Sequence, residues 1–510
     1  MPQYQQVSGG ACSLTLYLEE APGKVAAGTS GVRLAFASED FRRGSSKKQR
    51  SVIRDARGSG KPYAGMANLS GSLESASYAP QLGYIIRALC GAPATTADGA
   101  GKALSGAVTD KGDGLVGLPC AGHGFVQDAV VSVTGSANYD GTYRVAPGVT
   151  ADEVVIEAPY KAETLAGATL HRGRVCVLSG AAKTLSGGKV ALPVEGGIHA
   201  LNAGEKITIS GSTSYDGTHV LQEGTENGRL VITASFTEET FDGSAIAVPV
   251  FYRHAFALPK RQPTLTMEKY LDFETGAAEK PYRRFAFCKV NGLNFNFGGD
   301  DELTFSLDFV VGRESGAAEP LDASPLSPPA VPFDNIETSV WINGVRRGEV
   351  ESGDLSNAFG IEAKAAVGDL GQYSRMPEGD PECKSTLTCF LESETFQQLS
   401  EDASTVSFAV GICAVTGDEV WFRYPETELD TEGAAINGKE GLMQTVTVMP
   451  FVDKGDAVMA VELVNRVESY AQRRKHGIHL AQAPQRENRR ASRAHLCRMG
   501  RGRTPTHRKP

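Results

Sequence analysis

Two glycine-rich runs and a scatter of histidines are the places where this chain could hold a phosphate, a metal or a catalytic base. Gly112-Asp-Gly114-Leu-Val-Gly117 has the spacing that lets a backbone approach a pyrophosphate. That chemistry needs a strand before it and a helix after it, and here Pro119 and strand-like sequence stand where the helix would begin. Gly58-Ser-Gly60-Lys61 carries the Gly-Lys of a phosphate loop, but the first glycine of the eight-residue pattern is missing. Pro62 also replaces the Ser or Thr that would hold magnesium. Asp110-Lys-Gly-Asp113-Gly114 lacks the ligand ladder and closing Glu of a calcium loop. All three runs read as turns or loops.

His123, His171, His199, His219 and His254 lie in the main part of the chain, none in a recognisable acid–base arrangement, and no nucleophile elbow is present. His476, His479, His495 and Cys497 have the ligand types of a metal site, but the Arg-rich, non-periodic sequence around them argues for a solvated extension. The nine cysteines are scattered singly, and Cys383 to Cys389 is too wide for a zinc knuckle, so they read as free, mostly buried thiols. The expectation is a protein with no catalytic, cofactor or metal residues.

What must be positioned instead is a scaffold. The chain has 510 residues, 58 of them Gly, and only 7% aromatics. That composition predicts short strands joined by tight turns, a mainly β fold, and more than one core. From Glu468 to Pro510, 12 Lys+Arg stand against 2 acids, which divides the formal charge of -9 into a body near -19 and a tail near +10. A body that acidic does not grip a phosphate backbone and lets DNA slide past. No run approaches the ~18 apolar residues that cross a bilayer, so no membrane insertion is expected. The first 18 residues lack the pattern of a secretion signal, which predicts synthesis in a cytoplasm.

An internal repeat organises the middle of the chain. VVSVTGSANYDGTYRV (130–145) returns as KITISGSTSYDGTHVL (206–221), and EVVIEAPYKAETLAG (153–167) as RLVITASFTEETFDG (229–243). Lys102 to Gly106 likewise pairs with Lys183 to Gly187. Each unit of about 75 residues reads as strand, turn, strand, strand, hence two small β-sandwich or barrel modules in tandem. Asp140-Gly141 and Asp216-Gly217 are the dipeptide that type I′ hairpin turns favour. Tyr139 and Tyr215 are therefore read as packing residues beside a turn, in preference to a ligand loop.

Outside the repeat, Leu293, Phe295 and Phe297 alternate with asparagines. Gly298-Gly299-Asp300-Asp301 then turns the chain, and Leu303, Phe305, Leu307 and Phe309 alternate with polar residues. This long hairpin has one apolar face, which must pack on its own body or on a neighbouring subunit. LSGSLESASYAPQL (69–82) is echoed by LTCFLESETFQQL (387–399), each an alternating strand running into a short helix, so the outer chain reads as two related halves. Residues 314–332, rich in Ala, Ser and Pro, read as a surface loop, and the stretch after Tyr470 as disordered.

Without residues 92–250, the chain resembles the tail tube proteins of long-tailed phages. The resemblance rests on Ser51-Val-Ile-Arg54-Asp-Ala-Arg57-Gly58, Gly65-Met-Ala-Asn-Leu-Ser-Gly71-Ser-Leu73, the segment from Pro80 to Cys90-Gly91, and Pro263-Thr-Leu-Thr-Met267. Phe287-Cys-Lys-Val-Asn-Gly-Leu293, the strand from Leu303 to Val311 and Val340-Trp-Ile-Asn-Gly344 complete it. It implies a β-sandwich or barrel domain with long hairpins and a short helix, and hexameric rings of self-assembling subunits. Those rings would stack into a virion tube through which double-stranded DNA passes without specific binding, alongside tape measure and tail-end proteins. Candidate assembly hairpins are 67–77 (Leu69, Leu73), 293–309 and 386–394 (Leu387, Leu391). The implied organisation is a tube domain in two pieces, 1–91 and 251–467, enclosing modules 92–176 and 177–250, with a basic tail at 468–510. The competing reading is a surface-binding adhesin or decoration protein that works through the repeated modules.

Overall fold

Alternating apolar residues bury one side of a strand and leave the other to solvent, and the chain uses that pattern almost throughout. In a computed structural model, residues 9–50, 60–98, 101–196, 199–273, 280–300, 302–369, 372–433, 441–455 and 457–471 are described. The motif at 51–58, the phosphate-loop-like glycine Gly58, the tail histidines and Cys497 lie outside them. Among the described residues the fold is mainly β, with two α-helices, Ala79–Cys90 and Thr395–Glu401.

The strands before residue 98 and after residue 251 join one hydrogen-bonded network of 18 strands. One run of antiparallel neighbours goes from Arg42–Lys48 through Tyr63–Ala76, Thr304–Ala317, Tyr282–Gly298, Val350–Ala358, Glu382–Phe390 and Met443–Pro450 to the second half of Glu419–Glu432. The first half of Glu419–Glu432 pairs instead with Val406–Cys413 and Ala460–Asn465, so this strand passes from one layer to the other.

The expected hairpin forms in register, Leu293 opposite Leu307 and Phe295 opposite Phe305. Its apolar face, with Phe297, Leu303 and Phe309, lies in the chain's own core beside Leu69, Leu73 and Leu387. Each of these large side chains contributes about 1.5–3 kcal/mol through burial. Two of the three candidate hairpins have a different shape from the one expected. Residues 67–77 belong almost wholly to the single long strand Tyr63–Ala76. Residues 386–394 are the end of Glu382–Phe390 and the stretch leading to the second helix, with Leu391 half-exposed outside any strand. Residues 314–317, expected in a loop, continue the strand Thr304–Ala317 because Glu314 and Gly316 pair with Phe285 and Arg283.

Helix Ala79–Cys90 starts where Pro80 costs no hydrogen bond and ends at Gly91, at φ 84°. Every residue in it but Arg87 is buried, which fits a helix sunk into a core. The echoed segment also runs from strand into helix, with Phe396 as its buried anchor.

Residues 102–172 and 176–249 each form seven strands in two sheets, four plus three, around a separate core. This is more than the four-part unit read from the sequence. The type I′ expectation at Asp140-Gly141 is corrected: Gly141 already pairs with Val133 as a strand residue, and the loop runs over 135–140. Gly217 likewise pairs with Ile209. A primed turn does occur at Asp113-Gly114, with φ of 51° and 77°, so the glycine run that mimics a dinucleotide site is a hairpin tip.

Candidate functional site

The long sheet presents a broad outward face built by the same alternation that fills the core. Directly opposed residues give one row of Asn296, Asp354, Thr386, Thr447 and Asp430. A second row runs Glu74, Ser306, Asn294, Ser356 and Lys384. Asp308 stands opposite Ser72, and Glu428 opposite Met449. Hydroxyls, amides and carboxylates dominate these rows, and Lys384 is their single cation.

At the edge of this sheet the charge reverses. Arg42–Lys48 pairs with Tyr63–Ala76, and the described residues 42–50 and 60–67 contain Arg42, Arg43, Lys47, Lys48, Arg50 and Lys61 but no acid. Tyr63 and Met66 are 43% and 46% exposed, and the Arg50 guanidinium sits 5.6 Å from the centre of the Tyr63 ring. Arg42 pairs with Asp40 at 3.1 Å, and Arg43 lies 3.8 Å from Glu314. The result is a cationic two-stranded arm on an acidic body.

The repeats carry matching loops. In the first, the Glu163 carboxylate accepts from the Ser136 hydroxyl and from the Ala137 and Asn138 amides, at 2.8–3.1 Å. The Asp140 carboxylate accepts from the Gly135 and Ser136 amides, and the Tyr139 hydroxyl donates to the Lys161 carbonyl at 2.7 Å. Glu239, Asp216 and Tyr215 repeat these contacts. The amide of Ala137 leads the hydrogen bonds that hold the half-buried Glu163 carboxyl below the usual range. Tyr139 and Tyr215 are buried, whereas Tyr160 and Phe236 occupy equivalent positions beside these loops and are both 45% exposed.

The seam where the repeats meet the body is charged and buried. Arg172, at the end of the first repeat, donates to Asp98 at 3.0 Å and also binds Glu419 of the body. Arg466 of the body donates to Glu205 of the second repeat at 3.1 Å and to Asp418 at 3.3 Å. Arg144 donates to the Cys413 carbonyl at 3.0 Å, and Arg346 pairs with Asp128 at 3.1 Å. Burial pushes Glu205, Asp128 and Glu337 above the ordinary carboxylate range, while Asp418 and Glu205 keep Arg466 charged. Sequence reasoning missed this seam, because its partners lie up to 269 residues apart.

Burial raises the thiols of Cys90, Cys176, Cys383 and Cys389 to about 12, so they stay protonated. Among the described residues no group of three or more His, Cys, Asp or Glu is placed to hold a metal ion, and no helix is long and apolar enough to cross a membrane.

Fold and surfaces together define a mainly β protein with a polar outward face and a cationic edge. The family comparison gives the particular kind: residues 11–450 match the family described as phage tail tube protein, and the chain belongs to that family. It is a structural protein of phage tails. No curated protein matches the chain.

Proposed function

We propose that this chain builds the conduit of the tail. Subunits close into rings, hexameric as the family resemblance implies, and the rings stack into a tube that DNA crosses on leaving the capsid. The observation that carries this reading is the broad hydroxyl, amide and carboxylate face, whose two described rows set Asp354, Asp430 and Glu74 against the single cation Lys384, a wall that repels a phosphate backbone. Residues 1–91 and 251–467 act as the tube domain, with 92–176 and 177–250 as inserted modules on its exterior. Tape measure and tail-end proteins are its further partners. The cationic arm supplies the contact between copies, reaching the acidic surface of a neighbour. The segments 67–77, 293–309 and 386–394 contribute their outward polar faces and edges to assembly, since their apolar faces are used within the subunit.

Negative-stain electron microscopy across a concentration series tests this. Rings or hollow filaments with knobs outside are the expected result, and compact single particles at every concentration would overturn it. A second reading draws on Tyr160 and Phe236, equivalent aromatics exposed on both repeats. They suit weak, multivalent contact with a host surface, and a glycan screen in which both substitutions to Ala leave binding unchanged would remove it.

A further inference from the structure

Beside outlying pairs such as Arg346 with Asp128 and Lys206 with Glu468, the body meets both repeats at one shared feature, the turn 414–418 between Val406–Cys413 and Glu419–Glu432. On one side Glu419 meets Arg172 of the first repeat, and on the other Asp418 meets Arg466, which also holds Glu205 of the second. The side chains of Arg172, Arg466, Asp418 and Glu419 are all 4% exposed or less. Separating such pairs would leave buried charges without partners, so a partly undocked state is disfavoured.

The backbone adds a third attachment. Gly173 follows directly on the first repeat's last strand, Thr164–Arg172, and the second repeat's first strand begins at Cys176. A Cβ placed on Gly417 would stand 2.6 Å from the Gly173 Cα, so joint and turn are in direct backbone contact. The turn is itself closed by the Ala414 amide donating to the Asp418 carbonyl, and the Val415 amide donates to the Glu337 carboxylate at 2.7 Å. A joint pinned at its centre and on both flanks has no free axis left.

We propose that the two repeats form a rigid buttress gripping the turn 414–418, rather than an appendage swinging on a linker. Every copy then presents the repeats at one fixed orientation. The inference does not depend on the tube reading, because it concerns the single subunit.

Hydrogen exchange on the full chain tests it. Peptides covering 411–420 and 171–177 of the wild type are expected to exchange as slowly as the second repeat's strand Arg229–Thr233, which is buried at Leu230, Val231 and Ile232 and pairs with Lys189–Pro193. In Arg172→Gln and Arg466→Gln, exchange in those two peptides rises about tenfold or more while Arg229–Thr233 stays slow. Wild-type peptides that exchange as fast as an exposed loop overturn the proposal, as do variants that leave both peptides as slow as before. The wild-type comparison decides the matter even where a variant fails to fold.

Discussion

His254 is fully buried, with its Nε2 donating to the Val467 carbonyl at 2.9 Å and its Nδ1 accepting from the Thr95 hydroxyl at 2.9 Å. Burial lowers its affinity for a proton. The unfolded chain, with an ordinary histidine near 6.5, therefore takes up the proton first. The sign follows: stability from this residue is fully present above about pH 6.5 and falls as the pH drops below it, at up to about 1.4 kcal/mol per pH unit. Denaturant unfolding of wild type and His254→Gln between pH 7.5 and 5 should show a steeper acid loss in the wild type. Parallel curves would dismiss the role. The same neighbourhood shows where residue-level reading ran out. The basic tail expected over 468–510 includes Tyr470, yet the Tyr470 ring lies edge-on to Tyr84 and His254 and its hydroxyl donates to the Pro80 carbonyl. An isolated aromatic among polar residues carries no periodic signal, so only its tertiary partners reveal it.

Among the elements, strand alternation was legible because burial acts on every second residue, and the 293–309 hairpin formed around the expected turn, with Leu293 opposite Leu307. Turn chemistry was legible in kind and misplaced in position. The Asp-Gly pair that makes a primed turn is Asp113-Gly114, while Asp140 and Asp216 use their carboxylates to hold longer loops. Glu163 and Glu239, which close those loops, went unread because their partners lie 25–27 residues upstream. Glu163→Ala is expected to speed hydrogen exchange at Ala137 and Asn138 by about tenfold while leaving Thr213 and Ser214 untouched, and Glu239→Ala to do the converse. Equal effects in both repeats, or none, would show that the loops hold without their carboxylates.

For the whole molecule, the acidic body was readable from composition, but the basic arm at its edge was not, because its cations sit among Gly and Ser without helical or strand periodicity. If arm and acidic surface join copies of the chain, their attraction is screened as the Debye length shrinks from about 10 Å at 0.1 M salt to about 3 Å at 1 M. Filaments should then require a higher protein concentration at high salt. Lys47→Glu with Lys48→Glu should impose the same requirement at low salt, read by light scattering. Assembly indifferent to both would leave the arm without this role.

The antiparallel ladders also set a timetable for synthesis. Leu14 pairs with Leu34 on one side but with Lys269 on the other, Ala76 with Thr304 and Tyr252 with Asn465, so the body's earliest strands complete their pairing only when hundreds of later residues exist. Each repeat finds all its ladder partners within its own 70 or so residues. On the ribosome the repeats close first, as finished pieces in the middle of an open chain, and the body zips up around them last.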